Sequence, residues 1–281
     1  MPNKNYPSDL TDSQWEHIKD LLPKAKRQRR PRELEMRQVV NAILYVVVGG
    51  IQWRMLPCNF PKWQSVYYYF RLWRKQNEWQ RLHDRLRAEV RRTANRHKHP
   101  TAGCLDSQSV KTTQVPGVRG FDAAKNIKGR KRHLLVDTLG LLLSVAVTAA
   151  SVQERDGARR LLARAGGGCK KLSRLWVDGG YRGPALAAWV TARFRFVLQV
   201  VLRREEQLGF VVLPRRWVVE RTFAWLNFNR RLSKDYEVLT DTSKAMIYIA
   251  MTRLMCAGSS HYEFSNSFLT TSGVGSCVGS Q

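Results

Sequence analysis

A chain of 281 residues with 43% apolar content can fill real cores, either as one large domain or as a small plus a medium one, which excludes a natively disordered protein. Forty-eight Lys and Arg against 22 Asp and Glu leave a formal charge of +26, so a polyanionic partner is expected. No run of roughly 18 uninterrupted apolar residues and no charged-then-apolar leader exists, and the five cysteines (Cys58, Cys104, Cys169, Cys256, Cys277) form no C-x-x-C pair. A soluble, cytoplasmic protein without a disulfide framework or zinc site is the expectation.

The first third reads as helical and basic. In "LTDSQWEHIKDLLP", Thr11 caps a helix with Gln14 reaching back, while Trp15, Ile18, Leu21 and Leu22 recur at helical spacing up to Pro23. After the basic run "KAKRQRRPRE", Val39, Val40, Ile43, Val46 and Val47 line one face of a second helix that ends at Gly49 and Gly50. The third helix, "KWQSVYYYFRLWRKQNEW", carries Trp63, Val66, Tyr67 and Phe70 on one stripe and Gln64, Tyr68, Arg71 and Lys75 on the opposite one. Two helices joined by a turn, the later one basic and aromatic outward, suggest a helix-turn-helix-like DNA-binding unit; a helical packing domain with a wet charged face is the alternative. Helical pattern continues to Pro100, which places a DNA-binding domain at residues 1–98, able to bind DNA by itself, and a second domain at 99–257.

The second domain alternates. A brief strand leads to Asp106, and "GRKRHLLVDTLGLLLSVAVTAA" is a hairpin about Asp137–Gly140. There follow a helix in "QERDGARRLLARAG", a strand ending at Asp178, a helix, a last strand in "RFVLQVVLR", and a long helix "RRWVVERTFAWLNFNRRLSKDYE" holding Glu220. This is an α/β fold with helices against a sheet. Asp106 and Asp178 fall where neighbouring strands could bring them together, and three converging carboxylates either raise their pKa values or bind a hard divalent metal, magnesium or manganese. Taken singly, each has an ordinary alternative: a turn residue for Asp106 and Asp178, an exposed helix glutamate for Glu220.

The blocks "LDSQSVKTT", "GRKRHLLVDTLGLLL", "LWVDGGYRG" and "VVERTFAWLNFNRRLSKDYE", preceded by "GIQWRMLPCNFPKWQSVYYYFRLWR", closely resemble the transposases of bacterial insertion sequences, specifically the insertion-sequence-five group of DDE enzymes, over roughly residues 6 to 255. The resemblance implies a ribonuclease H-like catalytic domain in which Asp106, Asp178 and Glu220 are the catalytic and metal-binding triad. It also implies two Mg2+ or Mn2+ ions per site, about 3.5–4 Å apart, double-stranded DNA (terminal repeats and target) as substrate, and a homodimer on that DNA. Gly179 and Gly180 would let DNA or metal approach the backbone.

Around the glutamate, the family pattern of tyrosine, arginine, glutamate and lysine is met by Arg216, which the resemblance implies is a DNA-positioning residue, whereas Leu213 and Asn227 stand at the tyrosine and lysine positions. Asn227, Arg231 and Lys234 extend from Glu220 along one helical stripe, a path for a phosphate backbone. Lys111, Lys125, Lys128, Arg130 and Lys131 are further phosphate contacts, close to the Asp106 segment. His133, Asp137 and Asp156 have better structural readings. The Ser/Gly/Thr-rich segment 258–281 is expected to be disordered and extends beyond the family pattern. Two other functions compete: a self-repressor with a dead catalytic domain, and a metal-dependent nuclease without strand transfer.

Overall fold

A computed structural model describes residues 6–23, 34–114, 116–165, 169, 171–202 and 216–258. Leu213 and the segment 259–281 lie outside the described residues.

Four helices open the chain: α1 (Asp12–Lys19), α2 (Met36–Gly49), α3 (Trp63–Lys75) and α4 (Glu78–Thr93). The Thr11–Gln14 capping box is present, each side chain bonding the other residue's backbone N–H at 3.3 and 3.0 Å. Gly50 ends α2 in the left-handed conformation (φ 72°), its N–H donating to the Val46 carbonyl. The α2–α3 connection is long and holds a 3-10 turn, Trp53–Met55, so it is not the tight turn of a helix-turn-helix pair. The tight turn lies between α3 and α4, where Asn77 takes the left-handed conformation.

The remaining elements are β1 (Ala102–Lys111), β2 (Gly120–Asp122), β3 (Ile127–Asp137), β4 (Leu142–Ala149), α5 (Glu154–Ala165), β5 (Arg174–Val177), α6 (Pro184–Phe194), β6 (Val197–Val200), α7 (Trp217–Asn227) and α8 (Thr240–Gly258). β3 is the hub: it pairs antiparallel with β1 on one side and with β2 and β4 on the other, while β5 and β6 add in parallel beyond β1. Four antiparallel strands, β2 being a short addition of three residues, followed by two parallel ones joined through helices form the six-stranded ribonuclease H-like sheet.

Alternation along β1 and β3 divides the core between the two faces. Leu105 and Leu135 face α5 and α6 with Leu161, Leu162, Leu186 and Val190. Cys104, Leu134 and Val136 face the other way, into one cluster that also holds residues of α1 to α4, α7 and α8. The 1–98 boundary therefore marks a change of secondary-structure class, while the core runs through it. Polar ties cross there too: Arg91 of α4 pairs with buried Asp137 in the β3–β4 turn, and Arg87 donates to the Leu142 carbonyl at 2.8 Å. The 19-residue α8 is buried nearly all round, so it carries little amphipathic period in the sequence.

α7 is shorter than its sequence pattern suggests. It stops at Asn227, because Asn229 leaves helical geometry and its amide points back at the carbonyls of Trp225 and Leu226, 3.4 Å from each. A 3-10 turn, Arg230–Leu232, follows. That turn docks on the end of α2, where a Cβ on Gly50 would lie 3.0 Å from the Arg230 Cβ. Arg231 and Lys234 consequently leave the Glu220 stripe.

Candidate active site

Asp106 sits in β1 with its side chain toward α7. Asp178 follows the last residue of β5 and caps the next turn, its Oδ1 accepting from the Gly180 N–H at 2.9 Å. The parallel register pairs Cys104 with Trp176, so two residues further along the two aspartates come abreast, Asp178 at the end of β5 and Asp106 in the middle of β1, which runs on to Lys111 instead of ending before the aspartate as its short apolar entry suggested. Glu220 lies in the first turn of α7.

Arg216, at the N-cap of that helix, ties the three together. Its Nη2 is 3.8 Å from Asp106 Oδ2, Asp178 Oδ2 and Glu220 Oε1 alike, so the three oxygens lie on a sphere of 3.8 Å radius about one nitrogen. Arg216, a DNA-contact candidate by the sequence pattern, stands beside the carboxylate cluster.

Burial and the charge of Asp178 push the Asp106 carboxyl up to about 7, against the opposing pull of the Ser107 N–H, Arg216 and Lys125. One guanidinium offsets only part of three carboxylates' repulsion. The donor set is all hard oxygen, which fits magnesium or manganese. Among the described residues, no group of three or more His, Cys, Asp or Glu has the geometry of a ready-made metal cage, and the Arg216 cation lies 3.8 Å from an oxygen of each of the three carboxylates. Asp106, Asp178 and Glu220 are the residues that could hold an ion there.

Behind the aspartates are groups without a functional signal in the sequence. The Ser107 hydroxyl donates to Glu154 Oε1 at 3.2 Å, and Tyr181 is fully buried, its hydroxyl pKa raised by burial and then by the charge of Asp106. Gly180 is needed for a different approach from the one expected: a Cβ there would lie 1.9 Å from Glu154 Oε2.

The basic residues separate into two groups. Gln64, Tyr68, Arg71 and Lys75 are exposed along one face of α3, and Lys111, Lys125, Lys128, Asn227 and Lys234 are exposed around the sheet end and past α7. Arg130, Lys131 and Arg231 are not available to phosphate. Arg130 is 1% exposed, bonds Asp235 Oδ1 at 2.9 Å and donates to the carbonyls of Val118, Glu237 and Val238. Lys131 is 5% exposed and pairs with Asp122 at 3.0 Å; Arg231, 9% exposed, donates to Glu237 and to the Ile51 carbonyl. Inward-facing strand positions and a docked turn take these cations into structural work. His133 and Asp137 are buried and structural, and Asp156 pairs with Arg159 one turn on at 3.3 Å.

Residues 10–83 match the family described as "Putative transposase of IS4/5 family", and residues 97–255 match "Transposase DDE domain". Two curated proteins of Burkholderia cepacia are similar. "Insertion element IS402 uncharacterized 16.2 kDa protein" is 34% identical over 88 residues, 29% of this chain and 60% of the relative. "Putative transposase for insertion sequence element IS402" is 28% identical over 126 residues, 42% of this chain and 59% of the relative. The chain thus aligns with about 60% of the length of these curated relatives. The match over 97–255 takes in more than half of the chain and encloses Asp106, Asp178 and Glu220, so the chain belongs to the DDE-domain transposase family of the IS4/5 type.

Proposed function

We propose that this protein is a transposase that binds the terminal repeats of its element and cleaves and joins DNA strands at the Asp106, Asp178 and Glu220 centre. The observation that carries this reading is the approach of the three carboxylates, from β1, the end of β5 and the first turn of α7, to within 3.8 Å of a single Arg216 nitrogen. Magnesium or manganese, two ions per site, would bind these carboxylates and supply activation of the attacking oxygen and charge stabilisation at the leaving oxygen.

The chain's own residues do the rest. The exposed α3 face (Gln64, Tyr68, Arg71, Lys75) binds the duplex end, Arg71 and Lys75 serving phosphate and Tyr68 a sugar or base face. Lys111, Lys125, Lys128 and Lys234 steer the backbone toward the carboxylates, and Asn227, at the end of α7, contacts the strand beyond Glu220. Arg216 keeps the DNA-free cluster from repelling itself. A homodimer on the DNA, acting in the cytoplasm at the nucleoid, completes the proposal. Among the described residues no helix is long and apolar enough to cross a membrane.

Incubating the protein and manganese with an end-containing duplex and a plasmid tests the reading. Integration supports it, cleavage alone points to a nuclease, and binding alone points to a repressor.

A further inference from the structure

A fourth carboxylate stands behind the triad. Glu154, the first residue of α5, uses Oε1 to accept from the Ser107 hydroxyl at 3.2 Å and to face the Lys125 ammonium at 3.6 Å. Lys125 also donates to the Ser107 carbonyl at 3.3 Å, and the Ser107 N–H donates to Asp106 Oδ1 at 2.7 Å. On the Asp178 side, a Cβ at Gly180 would lie 1.9 Å from Glu154 Oε2 and 3.2 Å from Asp178 Oδ1, so this carboxylate fills the space a side chain would need. Glu154 therefore reaches the residue after Asp106 and the turn capped by Asp178, while its partner lysine lies on the turn after β2.

Lys125 is 41% exposed and flexible, and a free lysine there would sweep through many rotamers. Two anchors, one charged and one carbonyl, narrow that range. Its charge already acts on Asp106, opposing the upward push on that carboxyl. Arg216 and Lys125 flank Asp106 as two cations of different kinds: one lies among the carboxylates, the other is tethered beside them with an exposed ammonium.

We propose that Glu154 is a positioning residue that holds the Lys125 ammonium at the edge of the carboxylate cluster, where it meets the phosphate of the reacting strand. This rests on the DNA-cleaving reading above. A part-exposed ion pair contributes little to stability, so the effect is on geometry.

The test uses the full chain with manganese and an end-containing duplex, comparing single-turnover nicking by wild type, Glu154→Gln, Lys125→Ala and the double variant. Glu154→Gln should slow nicking about tenfold or more while metal-free duplex Kd changes less than about threefold. Lys125→Ala should lose a similar factor, and the double variant no more than either single, because both act through one ammonium. Wild-type rates in Glu154→Gln, or losses that multiply, would overturn the assignment. A second readout needs no activity: acylation of Lys125 by an amine reagent, followed by mass spectrometry, should rise about twofold or more when Glu154→Gln releases the tether. Unchanged Lys125 reactivity overturns the tether; raised reactivity in a protein whose wild type does not nick supports the tether and makes the DNA-cleaving reading the one that failed.

Discussion

Arg216 decides the state of the carboxylate centre in the absence of metal and DNA. With Arg216→Ala, three acidic groups would face one another without a neutralising charge, so metal-free stability near pH 8 should fall by roughly 1–3 kcal/mol, and added manganese should recover much of it. Denaturant titration with and without manganese measures both. Asp178→Asn removes an acidic ligand but no phosphate contact, and should reduce nicking and joining by at least about a hundredfold while end binding stays within about threefold. A variant that keeps a tenth of wild-type cleavage would contradict the triad. His133 sets a pH limit. Burial, then the charge of Lys131, lower its pKa from 6.5 to about 3, so the folded protein holds it neutral while the unfolded chain protonates it. Its contribution is complete above pH 6.5 and is lost as pH falls toward 3, about 2 kcal/mol between pH 7.5 and 5. Asp106, with its raised carboxyl pKa, acts in the opposite sense over part of this range, so the measurement is the difference in pH slope between wild type and His133→Gln.

At the scale of elements, the buried arginines of β3 are anchors for the chain after α7. Arg130 bonds Asp235, Ser243 and three carbonyls; Arg132 donates to the carbonyls of Leu232 and Lys234 at 2.7 and 3.1 Å. Together they fix the segment that leads from α7 into α8. Arg130→Ala leaves Asp235 buried and unpaired, with an expected cost of roughly 3–5 kcal/mol in urea unfolding. Arg231→Ala should likewise act on stability, through the lost Glu237 and Ile51 bonds, and leave joining per folded molecule nearly unchanged. α7 has its own brace: the Arg221 guanidinium lies 4.5 and 4.6 Å from the Trp217 and Trp225 rings and donates to the Leu139 carbonyl at 3.0 Å, which fastens the helix of Glu220 to the β3–β4 turn.

Across the whole molecule, the helical segment and the sheet share one core. Val39, Ile43, Phe70 and Leu86 belong to the same buried cluster as Leu134, Val145, Ile249 and Met251. Residues 1–98 expressed alone would expose that surface, and should show no cooperative thermal transition by circular dichroism. End binding therefore has to be measured on the full chain. There, Arg71→Ala with Lys75→Ala should lower the slope of log affinity against log salt by about two if both neutralise phosphates. An unchanged slope would take the α3 face out of the DNA path.

Local pattern alone determined a good deal here. The capping box at Thr11, the apolar face of α2, the hairpin about Asp137–Gly140 and the placing of Asp178 at a strand end all follow from neighbours within a few residues, and the structure has each; Asp106 differs, because β1 runs through it to Lys111 where the pattern suggested a brief strand ending before it. Motif blocks carried the family. What pattern could not decide depends on contacts between segments far apart in the chain. Whether an arginine is free for DNA is invisible in the charge count, because Arg130 becomes structural only when Asp235, 105 positions on, closes over it. Glu154 is one charge among several in "QERDGARR" until the packing of α5 brings it against Ser107, Lys125 and Gly180. α8 is buried on nearly every side, and a helix without a polar face leaves no period to read. Its packing against both the N-terminal helices and β4 makes one core of what the sequence presents as two classes of element, since burial depends on which surfaces meet and not on the order of residues along the chain.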